Sequence, residues 1–496
     1  MNKILEIVTS KKLTYEQKLN TLAHAAEDTL NVIDIPDKTK YYLEQGSICD
    51  LYEGSAPYRP RYVMPDYERY IKNGSEFLKV EPPTDLDELL NALMIIYHHV
   101  PSITSFPVYL GNLDKLIDPF LGDLSDQEIK KKLRLFLNFL DRTITDSFCH
   151  ANIGPEYTRA GKLILEVEKE LNNAVPNFTI KYDSDITPDE FGEQGVYTSL
   201  FCANPAFCNH KLNKEAYSCD YGISSCYNIL PIGGGAYTLA RLTLTNLAKL
   251  ADSQEHFLES LLPEVLELLG DYVNKRISFL VDESGFYESS FLVKEGLVDK
   301  DKFIAMFGIT GLAECANTLI NDPNKKYGEN AETDDLADKI MHQISAFIDQ
   351  FPANYSKISG GRFMLHAQVG LDSDHGITSG VRIPVGDEPE NMFDHLRHSA
   401  RFHQLITSGC GDIFPIETTA RDNPAAVLDI VKGAFSEGVK YMSFYEENSD
   451  LVRITGYLVK RSEMEKFKND EVVLQNTTHL GTPNYEHNRL ANRKVR

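Results

Sequence analysis

Near its C-terminal end the chain reads Leu451-Val452-Arg453-Ile454-Thr455-Gly456-Tyr457-Leu458-Val459. Apolar and β-branched residues dominate the stretch, and the turn formers Glu446, Glu447, Asn448, Ser449 and Asp450 precede it. The pattern predicts a strand or extended loop with a glycine at its centre. Glycine inside a strand marks a bulge, a bend or a close approach of backbone. Chemistry adds a further reason for glycine here. Loss of a hydrogen atom from a glycine Cα leaves a flat carbon radical delocalised over both flanking amides. Without a Cβ, nothing opposes the flattening or shields that carbon from another loop. The plain alternative is a bulged strand, so the rest of the chain has to decide.

With 496 residues, 42% of them hydrophobic, the chain can build a large core and exceeds most single domains, large barrels excepted. A formal net charge of −23 argues against binding nucleic-acid backbones or anionic membrane surfaces. No apolar run is long enough to span a bilayer. Glu6, Lys11 and Lys12 interrupt the first residues, so no signal peptide is expected and the compartment is read as cytoplasmic. Eight cysteines in such a chain suit free thiols, metal ligands or catalysts better than a disulfide framework.

Cys202, Cys208, Cys219 and Cys226 lie close together in sequence. They admit three readings: a zinc site, buried structural thiols, or a radical relay. Structural zinc favours ligand pairs two to four residues apart, and these gaps are wider. Cys226 lies in Gly222-Ile223-Ser224-Ser225-Cys226-Tyr227-Asn228, followed by Pro231-Ile232-Gly233-Gly234-Gly235 and an alternating run from Ala236 to Leu242 that predicts a buried strand. The glycines are contiguous and no Gly-Lys-Ser/Thr follows, which excludes a phosphate loop and a dinucleotide fingerprint. No cation stands beside Cys226, whereas a nucleophilic thiolate needs positive charge nearby.

Elsewhere, Thr84-Asp85-Leu86-Asp87 and Ser125-Asp126-Gln127-Glu128 are capping boxes. The second opens a helix with Ile129, Leu133, Phe136, Leu137 and Leu140 on one face. Residues before about 80 are mixed, with Pro36 to Arg61 irregular. Tyr109 to Phe120 predicts a loop entering a short helix. His150 and Glu156 are candidate cavity residues or caps of a loop between two helices. A helix follows with Leu163, Ile164, Val167 and Leu171. Asn246 to Val273 predicts a helix interrupted by Pro263. Met306 to Cys315 carries the candidate acid Glu314, and Asp334 to Phe351 a further helix. Arg362 to Val369 alternates as a strand, with His366 as a core histidine. Asp372, Asp374 and His375 suggest a metal only weakly against a solvated loop. Asn423-Pro424 starts a helix facing inward through Val427, Leu428 and Val431. Lys440 to Tyr445 predicts a strand. The residues from Gln475 are mostly polar and read as a surface wrap.

Arg453-Ile454-Thr455-Gly456-Tyr457 resembles the Arg-Val-x-Gly-Tyr signature of the glycyl radical enzymes. The Cys226 segment resembles their cysteine finger loop, with Cys226 at the thiyl position and Cys219 as a looser second thiol. Tyr109–Phe120 resembles a segment of their N-terminal half, with Asn112 and Lys115 replacing an arginine and a glutamine. Phe139–Thr143, His150–Glu156 and Met306–Cys315 resemble the anaerobic ribonucleotide reductases of the same superfamily. Together these segments follow the order and approximate spacing of that superfamily from Tyr109 to Lys460, and the chain most resembles the YjjI-type glycyl radical enzymes. No cysteine follows Cys410 to build the reductases' zinc module, no N-terminal nucleotide-binding cone is evident, and Ser225 replaces the first of the two adjacent cysteines of pyruvate formate-lyases. The chain is therefore expected to have neither of those activities.

The resemblance implies an α/β fold: a ten-stranded barrel in two five-stranded halves, surrounded by helices, with Cys and Gly loops inside. One catalytic unit would cover 1–496, with 1–195 mainly helical, 196–435 the barrel with the Cys loop, and 436–496 the radical segment. It implies a radical stored on Gly456, installed by an activase dependent on S-adenosylmethionine and an iron–sulfur cluster. Cys226 would pass it to a small polar substrate, leading to elimination, C–C cleavage or rearrangement under anaerobic conditions. Arg453 and Tyr457 would support the radical loop, and Glu314 and Cys219 are candidate substrate contacts. No bound metal is expected, and a homodimer is compatible. The competing readings are a silent barrel acting as a binding or scaffold protein, and a thiol hydrolase pairing Cys226 with His150 or His366.

Overall fold

The computed structural model describes residues 2–217, 219–367, 370–371 and 373–496. In chain order its strands are β1 (Ile48–Cys49), β2 (Tyr62–Met64), β3 (Tyr109–Asn112), β4 (His150–Ile153), β5 (Asn177–Tyr182), β6 (Ala206–Asn209), β7 (Tyr221–Ser224), β8 (Asn228–Pro231) and β9 (Gly234–Thr243). They continue as β10 (Phe303–Thr310), β11 (Phe363–Ala367), β12 (Asp412–Ile416), β13 (Tyr441–Glu446), β14 (Leu451–Arg453) and β15 (Leu458–Lys460).

Two ladders organise them. β9, β10 and β11 run parallel, and β2 lies antiparallel on the free edge of β9, with β1 further along the same edge. β3, β4, β5 and β6 run parallel; β6 then pairs antiparallel with β13, which is parallel to β12. A bridge from His366 to Gly409 joins β11 to the segment entering β12, and β2 packs beside β3. Ten of the described strands thus form a ring of two halves, β2 to β6 and β9 to β13, with antiparallel junctions at β2/β9 and β6/β13. Every residue of β9 and β10 is buried, as strands covered on both faces require.

The helices that cover the ring follow from their apolar stripes. Helix Asp126–Thr143 is opened by the Ser125/Glu128 capping box, and all five residues of its predicted stripe are buried, each contributing about 1.5–3 kcal/mol. Helix Pro424–Glu437 starts at Asn423 with the proline in its first turn, and Val427, Leu428 and Val431 face inward. Two hairpins, β7–β8 and β14–β15, pair only within themselves.

Several expectations need correction. The segment before residue 80 contains helices Lys3–Thr9, Tyr15–Glu27, Asp37–Gln45 and Tyr67–Asn73, so Pro36–Arg61 is not irregular throughout. Helix Leu86–Tyr97 is capped by Asp85 rather than Thr84, because the carboxylate of Asp85 reaches the Glu88 N–H. Tyr109–Asn112 is a strand, not a loop. His150–Ile153 is likewise a strand rather than a cap between helices. Residues 1–195 are mainly helical, and they also supply four of the ten ring strands. Pro263 lies in the first turn of helix Leu262–Ser278 instead of breaking a helix. Asp374 is no loop solvator: it is buried against the Arg241 guanidinium. Gln368 and Val369 of the predicted Arg362–Val369 strand, and Asp372 of the acidic loop, lie outside the described residues. Among the described residues no group of three or more His, Cys, Asp or Glu side chains is placed to hold a metal, and no helix is long and apolar enough to cross a membrane. The tail after Gln475 is not a surface wrap. It forms helix Asn476–His487, which buries Thr477, Thr478, Gly481, Thr482 and Asn484.

Candidate active site

The β7–β8 hairpin turns through Ser225, Cys226 and Tyr227. Ser225 has φ +57°, a left-handed residue of the kind that reverses a chain at a short loop. Asn152 of β4 grips the incoming strand through both ends of its amide, donating to Ile223 O at 2.9 Å and accepting from Ile223 N at 2.7 Å. Asn228 closes the turn onto Ser224 O at 3.1 Å. Across the ring, Ile229 N donates to Ser408 O. The cysteine tip is therefore fixed to both halves of the barrel.

The β14–β15 hairpin turns through Ile454, Thr455, Gly456 and Tyr457, with Ile454 N donating to Tyr457 O at 3.1 Å. The Ser147 hydroxyl both donates to Leu458 O at 2.8 Å and accepts from Leu458 N at 3.1 Å, tying the outgoing strand to the approach to β4.

The two tips touch. A Cβ built on Gly456 would stand 2.5 Å from Cys226 Cβ and 2.6 Å from Cys226 Cα, distances no real side chain tolerates. Gly456 Cα is thus no more than about 4 Å from Cys226 Cβ, the first distance plus one C–C bond. Gly456 has no left-handed φ, so the position requires glycine for space and not for conformation. Cys226 Sγ lies 3.9 Å from Thr455 Oγ1.

A family model for the glycyl radical enzymes described as YjjI-like matches residues 13–496. The chain belongs to this family. An uncharacterized Haemophilus influenzae protein is 44% identical over 99% of this chain and 97% of its own length. The Escherichia coli protein YjjI, also uncharacterized, is 40% identical over 99% and 95%. Among solved structures, a Roseburia inulinivorans protein of 1,2-propanediol dehydration is 12% identical, with a TM-score of 0.71 over 99% of this chain and 88% of that one. The anaerobic ribonucleotide reductase of Thermotoga maritima is 15% identical, with a TM-score of 0.68 over 88% and 86%. At those identities the likeness is one of fold.

In this glycyl radical enzyme the cysteine is a neutral thiol. Burial pushes Cys226 up to about 12, with smaller opposing effects from Thr455, Arg382 and Arg61. His150 and His366 are buried imidazoles held neutral by desolvation, and neither hydrogen-bonds the sulfur. Iodoacetamide at pH 8 should therefore alkylate the partly exposed Cys49 and Cys219 and leave Cys226 intact in the folded protein; rapid labelling of Cys226 would reveal a thiolate.

In the YjjI-like chain the loop carrying Gly456 is held by buried side chains of distant segments. Arg493 donates to Arg453 O at 2.6 Å and Ile454 O at 2.5 Å. Gly481 lets helix Asn476–His487 close on Val459, Tyr457 and Ile454. Arg382 donates to Thr455 O at 3.0 Å, Gly411 O at 3.0 Å and the Tyr227 hydroxyl at 2.5 Å, linking both tips to β12. Arg453 is fully buried, and its Nε donates to Ala203 O at 2.9 Å. Tyr457 packs on Phe148 with ring centroids 4.7 Å apart.

The remaining predicted residues separate. Glu314 lines a cavity of about 290 Å³ that Arg382, Thr455 and Arg493 also line, and it accepts from Thr378 N and Thr378 Oγ1. Burial raises its carboxyl above the ordinary range. Cys219 is not brought to Cys226. It stands at the open end of the β7–β8 hairpin, on the order of 20 Å along the chain from the tip, and lines a second cavity of about 350 Å³ with Asp220 and Lys302. Glu156 pairs with Lys115 at 2.8 Å on the surface. Asn177, Arg382 and Arg493 were not found from sequence: each acts on backbone of a distant segment, and no local pattern marks such a partner.

Proposed function

We propose that this enzyme stores a radical on Gly456 and exchanges it with Cys226, which then takes a hydrogen atom from a small polar substrate. The observation that carries the reading is the contact of Gly456 with the backbone and Cβ of Cys226. A hydrogen atom moves from the Cys226 S–H to Gly456 Cα, leaving a sulfur radical. The sulfur abstracts hydrogen from a substrate C–H bond and regains its S–H. The substrate radical then eliminates, loses a C–C bond or rearranges, and the hydrogen returns from sulfur to product. A neutral thiol suits this exchange, and the raised pKa of Cys226 supports it over a hydrolase. Burial of Gly456 and Cys226 inside the ring shields both from bulk solvent. Hydrogen would first be removed from Gly456 by a separate activase using S-adenosylmethionine and an iron–sulfur cluster.

Elimination of water from a vicinal diol is the first reaction to examine, given the fold shared with the 1,2-propanediol protein. The decisive experiment precedes any substrate. Protein grown with glycine carrying ¹³C at Cα is activated anaerobically and measured by EPR. The expected signal is an organic radical split by one remaining α-hydrogen and further broadened by ¹³C. A radical unaffected by the label would overturn the assignment to glycine.

A further inference from the structure

β4 and β5 place His150 and Asn177 directly opposite each other, and both side chains are fully buried. Asn177 Nδ2 donates to Gly456 O at 2.8 Å. The His150 ring faces the backbones of Gly456 and Ser225 without a hydrogen bond of good geometry to either. Asn177 Oδ1 and both His150 nitrogens lack partners. Three unpaired polar atoms in a fully buried position are costly for a purely structural seat. The oxygen that Asn177 Nδ2 reaches belongs to the carbonyl attached to the Cα that would carry the radical.

A glycine radical is delocalised into its own carbonyl, so electron density on Gly456 O rises when hydrogen leaves Cα. A donor already aimed at that oxygen binds the radical form more strongly than the intact glycine, the same logic by which fixed donors stabilise a developing oxyanion. The other flanking oxygen, Thr455 O, is held by Arg382 at 3.0 Å, so both amide planes are fixed on either side of Cα. We infer that Asn177, seated beside His150, is a positioning residue whose amide donates to the Gly456 carbonyl and biases the hydrogen-atom exchange toward a radical on glycine rather than on Cys226. The inference rests on the proposed radical at Gly456. Hydrogen moves from sulfur to carbon as before, and Asn177 changes only the balance.

The test compares activated wild type with Asn177→Leu, of similar size without a donor, and Asn177→Ser, which keeps a hydroxyl donor. EPR reads the α-hydrogen splitting, and the anaerobic lifetime of the signal is followed with dithiothreitol as quencher. Asn177→Leu should change the splitting and shorten the lifetime about tenfold, the scale of one hydrogen bond. Asn177→Ser should recover part of both. Circular dichroism and protection of Cys226 from iodoacetamide establish that each variant is folded. If Asn177→Leu misfolds, Asn177→Ser alone decides, since its weaker donor should still shift the splitting. Identical splitting and lifetime in a folded variant would overturn the inference while leaving the proposed function intact. Absence of any glycine radical in wild type would instead overturn that function.

Discussion

Cys226→Ala is expected to form the Gly456 radical at wild-type yield and to lose turnover by on the order of 10⁴-fold or more, as removal of an essential covalent group does. The change deletes one sulfur whose polar contact is Thr455 Oγ1 at 3.9 Å, so the hairpin, fixed by Asn152, Asn228 and Ser408, keeps its place. The radical carbon remains buried, but the next hydrogen donor is gone. Turnover is measured on whichever supplied diol, beginning with 1,2-propanediol, wild type consumes. Cys226→Ser gives the stricter comparison, because a hydroxyl fills the site while its O–H bond is too strong to exchange. Turnover persisting in both variants would remove Cys226 from the mechanism. Loss of the radical signal in a folded Cys226→Ala would show that the thiol is needed to form the radical, which the account does not predict.

The second large effect is that of Gly456→Ala, which should yield no radical after activation. Two causes act together. The methyl would stand 2.5 Å and 2.6 Å from Cys226 Cβ and Cα, so one hairpin must move, at about 1–3 kcal/mol. Part of that hairpin is held by Arg493 and Ser147, which restricts where it can go. The added Cβ also opposes the flattening that delocalisation needs. The measurement is EPR beside a thermal melt. A folded variant with no signal and a lowered melting temperature is the expected result. An undiminished radical in Gly456→Ala would place the spin on another residue.

These two segments were expected to meet because they resemble the glycyl radical signature and the cysteine finger loop; composition alone left a bulged strand and a buried thiol open. A glycine interrupts β-branched residues at Gly456, and a cation-free polar turn precedes contiguous glycines at Cys226. Helices with regular stripes, such as Asp126–Thr143, were plain. The strands β3, β4 and β5 were not, since short strands buried on both faces show no alternation and resemble loops or helix fragments. The tail misled for a different reason. Its polar residues are buried because they meet partners far away in sequence, as Arg493 meets the carbonyls of Arg453 and Ile454, and Thr477 meets Ser147. Asn177 and Arg382 share that property, and pairings of this kind depend on the closed ring. Cys219 shows the converse: nearness in sequence to Cys226 did not become nearness in space.

Oxygen tests the central claim most directly. A carbon radical on the backbone adds oxygen and the chain breaks there, so activated wild type brought into air should give, on a denaturing gel and by mass spectrometry, a new C-terminal fragment beginning after Gly456 and running to Arg496. Activated Gly456→Ala, treated alike, should stay whole. Full-length wild-type chain alone, or a cut at any other residue, in a sample whose EPR signal was present before air entered, would contradict the account.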